Sequence, residues 1–129
     1  MTRILVVEDD RLLGQSIKSG LEDEGYQVDW AIESQQAFAF LQAHRPEMIL
    51  LDIMLPGEDG YQILKKLKAA NSDYLSIPVV MLTNLGQIGQ MERAMELGAE
   101  DYVIKSNIDL EKLVDLVKEK LAVFRAHQT

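Results

Sequence analysis

The chain has 129 residues, enough for one ordinary domain with a real core, and 13 basic against 21 acidic residues leave a formal charge of −8. Such an acidic chain, with no Lys/Arg-rich run, lacks the basic face that wrapping nucleic acid or lying on an anionic membrane requires. Cysteine is absent, which excludes disulfides, thiolate metal sites and a cysteine nucleophile.

The N-terminal stretch "RILVV" (3–7) is a short continuous apolar run, the mark of a strand buried on both faces. It is followed at once by acids, so it reads as a strand and not as a signal peptide. Residues 10–24 carry Leu12, Leu13, Ile17 and Leu21 at helical spacing, and Gly25 stands where a helix-ending glycine belongs. "YQVDWAI" (26–32) alternates and predicts a less buried strand in which Trp30 is packing or surface. Ser34 is placed to cap a helix holding Ala37, Phe38, Phe40 and Leu41, which must end before Pro46. "EMILLD" (47–52) is a third strand and "YQILKKLKAA" (61–70) a third helix with Ile63, Leu64 and Leu67 inward. "IPVVML" (77–82) is a fourth strand, with Pro78 tolerable at its start. Residues 87–97 form a fourth helix (Ile88, Met91, Met95) stopped by Gly98, and "DYVIK" (101–105) a fifth strand. Residues 109–125 give a last helix through Leu110, Leu113, Val114, Val117, Leu121 and Phe124, and residues 125–129 are expected to be a disordered tail. Met48, Met81, Met91 and Met95 are expected to fill the core. No apolar run approaches the length of a membrane-crossing helix, and the expected location is cytoplasmic.

Strands alternating with helices over short connections predict a parallel sheet covered on both faces by right-handed crossovers, one α/β domain over residues 1–129. In such a sheet all strand C-termini lie on one edge, where open α/β folds place their sites. This chain puts Glu8, Asp9 and Asp10 after the first strand, Asp52 after the third, Thr83 after the fourth and Lys105 after the fifth. Asp52 is the telling member. The run "MILL" leads straight into it, and an unpaired buried charge is costly. Either Asp52 caps the next turn or it stands at a site that wants negative charge at the mouth of the core. Either Asp9 or Asp10 could serve as the N-cap of the first helix.

Crowded carboxylates repel and need a cation. Oxygen donors without His or Cys suit a hard ion, and Mg²⁺ held by carboxylates, waters and a phosphate fits best. A carboxylate on that ion can act as nucleophile toward a phosphoryl group, with a lysine and a hydroxyl offsetting charge on its oxygens. "GEDG" (57–60) reads as a turn, because it lacks the spacing of a phosphate-cradling loop.

The blocks "ILVVEDD", "ILLDIMLPGEDGYQIL", "IPVVMLT" and "GAEDYVIK", in this order and spacing, resemble the receiver domain of two-component response regulators over essentially the whole chain. The resemblance implies a three-layer flavodoxin-like (βα)5 sandwich with parallel strand order 2-1-3-4-5. It implies that Asp52 is the phosphoacceptor, Asp9 a direct Mg²⁺ ligand, Glu8 a second acid acting through water, and the Met54 carbonyl a further ligand. Thr83 would contact the phosphoryl group and turn inward on activation, Lys105 would pair with its oxygens, and Tyr102 would switch between exposed and buried rotamers. The phosphodonor would be a histidine kinase or a histidine phosphotransfer protein, and small acyl phosphates could substitute. The response would appear on the face formed by the fourth helix, fifth strand and fifth helix. The receiver would be stand-alone, working through a downstream protein, or separated from its own output domain, and monomeric or dimerising on phosphorylation.

Three departures from the family pattern carry expectations. Ser106 stands where the family usually has a cis-linked proline. A non-proline cis bond costs about 2.5–4 kcal/mol, so Lys105–Ser106 is expected to be trans with a rebuilt turn. Asn84 replaces the usual small residue after Thr83 and is expected to narrow the phosphoryl entrance or to add a hydrogen bond there. Met54 and Leu85, both apolar, occupy positions that in the family flank the path of hydrolytic water, so the resemblance implies a longer lifetime for an acyl phosphate. The leading expectation is a signalling switch and not an enzyme in the usual sense. A phosphorylation-independent binding module is the alternative. A phosphatase with an aspartyl nucleophile is disfavoured, since the position of its general acid is Met54.

Overall fold

The apolar runs become the centre of a parallel sheet. In the computed structural model, which describes residues 2–84, 88–107 and 109–126, the strands are β1 (Arg3–Val7), β2 (Gln27–Ala31), β3 (Met48–Asp52), β4 (Val79–Thr83) and β5 (Asp101–Ile104). The helices between and after them are α1 (Arg11–Asp23), α2 (Ser34–Ala43), α3 (Gly60–Leu67), α4 (Ile88–Glu96) and α5 (Leu110–Ala126). All strand pairs are parallel, as the alternation of strands and helices predicts, and the order is β2-β1-β3-β4-β5, as the family resemblance implies. The chain runs from β1 outward to β2, then returns past β1 to lay down β3 on the other side. The crevice between the ends of β1 and β3 is thus the point where the strand order reverses, the place an open α/β sheet offers a ligand.

Alternate residues of the central strands face opposite layers. Leu5, Val7, Ile49, Leu51, Val79 and Met81 pack with Ala37 and Leu41 of α2, Ile63, Leu64 and Leu67 of α3, and Ala94 of α4. Ile4, Val6, Met48, Leu50, Val80 and Leu82 pack with Ile17 and Leu21 of α1 and Leu113, Val114, Val117 and Leu121 of α5. The result is three layers. All five residues of β3 are buried, and each enclosed Ile or Leu there contributes about 2 kcal/mol of transfer free energy.

Local chemistry sets the boundaries. Asp10 caps α1, its carboxylate accepting the Leu13 N–H at 3.0 Å. Gly25 follows α1 at φ +94°, a left-handed value that favours glycine. Asp59 and Gln62 form a reciprocal capping box at the start of α3. Gly60 is held there by space: a Cβ would stand 2.2 Å from the Asp52 carbonyl oxygen. The turn before α3 is clamped by Glu58, which accepts from Ser34 of α2 at 2.7 Å and Lys66 of α3 at 2.6 Å. The Lys66 and Ser34 hydrogen bonds hold the Glu58 carboxyl below the ordinary glutamate range.

The structure corrects several local expectations. Glu33, not Ser34, caps α2 by accepting the Gln36 N–H, and the Ser34 hydroxyl is turned to Glu58 instead. Leu12 is 81 % exposed, because α1 faces the sheet through Gly14, Ile17 and Leu21. Met95 is 43 % exposed and the inward position of α4 is the small Ala94, while Met48 and Met81 are in the core as expected. α3 ends at Leu67, earlier than its apolar pattern suggests, and β5 ends at Ile104, leaving Lys105 in a 3-10 turn (Lys105–Asn107). Arg125 and Ala126 continue α5 where a disordered tail is expected. The remaining tail residues, Leu85, and the side chain of Ile88 lie outside the described residues. Among the described residues no peptide bond is cis, so Lys105–Ser106 is trans as expected. The described residues contain no helix long and apolar enough to cross a membrane.

Candidate functional site

The segment after β1 assigns its three acids three different surroundings. Glu8 is fully enclosed, its N–H bonded to the Ala31 carbonyl of β2 at 2.9 Å. Asp9 is exposed, and Asp10 is committed to the cap of α1. The backbone N–H of Asp10 also points back to Glu8 Oε2 at 3.3 Å, closing a tight turn.

Asp52 ends β3 at 2 % exposure, paired in register with Leu82 of β4. Carboxylate oxygens of Glu8, Asp9 and Asp52 lie within 4.8 Å of one another across the β1–β3 crevice. Lys105 reaches the same point from the far edge of the sheet. Its Nζ donates to Glu8 Oε1 at 2.5 Å and to Asp52 Oδ2 at 3.0 Å. The Met54 N–H lies 3.3 Å from Asp52 Oδ1, so each Asp52 oxygen has a protein partner, while the Met54 side chain is exposed. Leu82, Val103 and Leu113 line a cavity of about 60 Å³ beside Lys105.

Electrostatics follow from this crowding. Burial, then the neighbouring Asp52 carboxyl, push Glu8 up to about 7 against the opposing pull of Lys105. Burial works against the Lys105 charge, but its hydrogen bonds and attraction to Glu8 and Asp52 outweigh burial and hold it above the ordinary lysine value. Three carboxylates facing one ammonium leave excess negative charge. An all-oxygen donor set with one solvent-facing member, Asp9, is suited to a hard divalent ion.

Thr83 is buried at the end of β4, in register with Ile104 of β5, so it sits on the strand between Asp52 and the Lys105 turn. Tyr102 is 37 % exposed on β5. The structure therefore brings Glu8, Asp9, Asp52 and Lys105 into one cluster, puts Met54 against it through the backbone, and leaves Tyr102 on an outer strand. The turn after β5 is rebuilt around Ser106, whose hydroxyl donates to the Asn84 carbonyl at 3.0 Å. Sequence reasoning missed that Trp30 touches this region: its indole Nε1–H donates to the Glu8 carbonyl at 2.9 Å. Gly14 was the available signal, since a helix glycine opposite a lone tryptophan leaves room for the ring.

With this geometry in hand, similarity to known proteins is specific. Residues 4–118 match the family described as response regulator receiver domain. The transcriptional activator protein IrlR of Burkholderia pseudomallei is 35% identical over 127 residues, covering 98% of this chain and 53% of that protein. The chain thus spans about half the length of the curated relatives it matches. A CheY-like receiver domain protein from Methanospirillum hungatei superposes with a TM-score of 0.87 at 28% identity, covering 98% of both chains. The Mn(2+)-bound form of response regulator Rcp1 superposes at 0.77 with 30% identity, covering 92% of this chain and 91% of that one. A parallel sheet of order 2-1-3-4-5, an acidic crevice at its switch point and a family match over most of the length agree: the chain belongs to the response regulator receiver domain family.

Proposed function

We propose that this chain is the phosphoacceptor switch of a two-component or phosphorelay system, with Asp52 taking up the phosphoryl group. The observation that carries the reading is the setting of Asp52: a carboxylate at the end of a fully buried strand, with Glu8 and Asp9 within 4.8 Å and the Lys105 ammonium at 3.0 Å. A solvated turn residue has no use for such company.

In the step, an Asp52 oxygen attacks the phosphorus of a phosphohistidine on a sensor kinase or phosphotransfer protein. The P–O bond forms, the P–N bond breaks with its electron pair going to the ring nitrogen, and the imidazole leaves neutral, keeping the proton already on its other nitrogen. Asp9, Glu8 (through water), Asp52 and the Met54 carbonyl are the groups that would hold Mg²⁺. When bound, the ion supplies positive charge that offsets the charge of the phosphoryl oxygens. A divalent ion is reported for the related Rcp1, which supports this assignment. Lys105 moves its hydrogen bond from Asp52 to a phosphoryl oxygen, and the Thr83 hydroxyl donates another. Inward movement of Thr83 leaves room for Tyr102, which biases the face built by α4, β5 and α5.

The chemistry ends on the protein's own side chain, so the chain is a switch and not a turnover enzyme. It works in the cytoplasm, where a kinase can reach it. The relatives named as transcriptional regulators are about twice as long, which supports an output domain or a separate protein as the reader of that face. The test is mass spectrometry after incubation with acetyl phosphate and Mg²⁺. An adduct of one phosphoryl group is expected, and Asp52→Asn should abolish it. No adduct in the wild type would favour a phosphorylation-independent binding module.

A further inference from the structure

Trp30 is the only tryptophan of the chain and lies on β2, the edge strand beside β1. We propose that Trp30 is a positioning residue for the acidic pair: its indole N–H, by holding the Glu8 carbonyl, fixes the turn from which Glu8 and Asp9 reach a metal ion. The inference rests on the metal reading above and adds a residue to it.

Two contacts pin Glu8 from neighbouring positions of one strand. The Trp30 indole donates to its carbonyl at 2.9 Å, and the Ala31 carbonyl accepts its N–H at 2.9 Å. The held carbonyl belongs to the peptide that leads directly into Asp9. On its other side the indole lies on α1 at Gly14, where a Cβ would stand 2.3 Å from ring carbon Cε2. One side chain therefore braces both limbs of the turn, the strand end that supplies Glu8 and the helix that Asp10 caps. A half-buried indole N–H aimed at the backbone of an acidic turn gives it a defined geometry, and pre-formed ligand geometry lowers the ordering cost of binding.

The lone indole N–H gives one isolated resonance in a nitrogen–proton spectrum of ¹⁵N-labelled protein. On titration with MgCl₂ it should shift in step with the amides of Asp9 and Asp10. Trp30→Phe keeps a ring and removes the donor, and should weaken Mg²⁺ binding, read by calorimetry, about threefold to tenfold. Gly14→Ala, which displaces the ring without altering it, should act in the same direction and serves if Trp30→Phe does not fold. Leu121→Ala, a truncation in the same apolar layer with no tie to the turn, should lower the Tm and leave Mg²⁺ affinity unchanged. Wild-type protein that binds Mg²⁺ with the indole resonance unmoved, or variants that bind as tightly as wild type, would overturn the positioning role and leave the metal site standing. Wild-type protein that binds no Mg²⁺ would overturn the metal reading and this role together.

Discussion

Lys105 Nζ stands closer to Glu8, at 2.5 Å, than to Asp52, at 3.0 Å. One ammonium thereby serves two enclosed carboxylates contributed by different strands. Together with Asp9, these two carboxylates are the groups that would hold a divalent ion.

Lys105→Met removes that ammonium and keeps most of the apolar stem. Taking one partner from a buried pair is strongly destabilising, though a proton on Glu8 would soften the loss. The expected cost without metal is about 2–3 kcal/mol at neutral pH, read by urea denaturation. Saturating Mg²⁺ should restore most of it. Equal stability with and without Lys105, in metal-free buffer, would show that the pair carries no weight.

The Glu8 carboxyl, raised from 4.5 to about 7 in the fold, sets two pH dependences. Its folded value lies above its unfolded one, so the neutral form is the stabilised one. Its stabilising contribution is full below about 4.5 and fades as pH rises through about 7. Mg²⁺ needs the ionised form, so its affinity should climb with pH up to that point, approaching about tenfold per pH unit, and then level off. Calorimetric titrations across this range check the slope. Glu8→Gln should flatten it.

Gly60→Ala would ordinarily favour a helix by about 1 kcal/mol. Here the added methyl meets the Asp52 carbonyl at 2.2 Å and Ile53 Cα at 2.7 Å, both backbone and neither able to swing away. The expected net change is a loss of about 1–3 kcal/mol by thermal or chemical denaturation. Displacing the end of β3 should also slow formation of the acetyl phosphate adduct.

Asn84 and Ser106 can be tested separately. The Asn84 carbonyl, not its side chain, accepts the Ser106 hydroxyl, so Asn84→Ala leaves that tie intact. It should speed phosphorylation by small donors through a wider entrance, read as the rate of adduct formation. Ser106→Ala breaks the tie, and should cost about 0.5–1 kcal/mol and slow adduct formation by loosening the turn that carries Lys105.

The sheet could be read from the chain because its three central strands, β1, β3 and β4, are short apolar runs, and a parallel sheet enclosed on both faces needs that pattern. The gathering of Glu8, Asp9, Asp52, Thr83 and Lys105 near one rim follows from the same topology. Helix faces were harder to read. Leu12 has the hydropathy of a core residue, yet α1 turns Gly14 inward, and a glycine gives no hydropathic signal. Ala94 outranks Met95 in α4 for a related reason, since close helix-to-sheet approach selects small side chains.

Individual polar tasks were harder still. Ser34 has the chemistry of a cap, but the structure gives that task to Glu33 and uses the hydroxyl on Glu58. The choice depends on a partner 24 positions away, which local sequence cannot express. Trp30 belongs with these cases: its hydrogen bond to Glu8 joins two strands, and neither segment alone announces it.

β3 has no slack. With all five residues from Met48 to Asp52 buried, an Asp52 that accepts a phosphoryl group as proposed would do so with little travel of its own. Any rearrangement must then be carried by what surrounds it: the turns holding Asn84 and Ser106, the rim of β5, the outer helices. On the proposed reading the nucleophile would serve as a fixed anvil, and the message would travel outward through its neighbours.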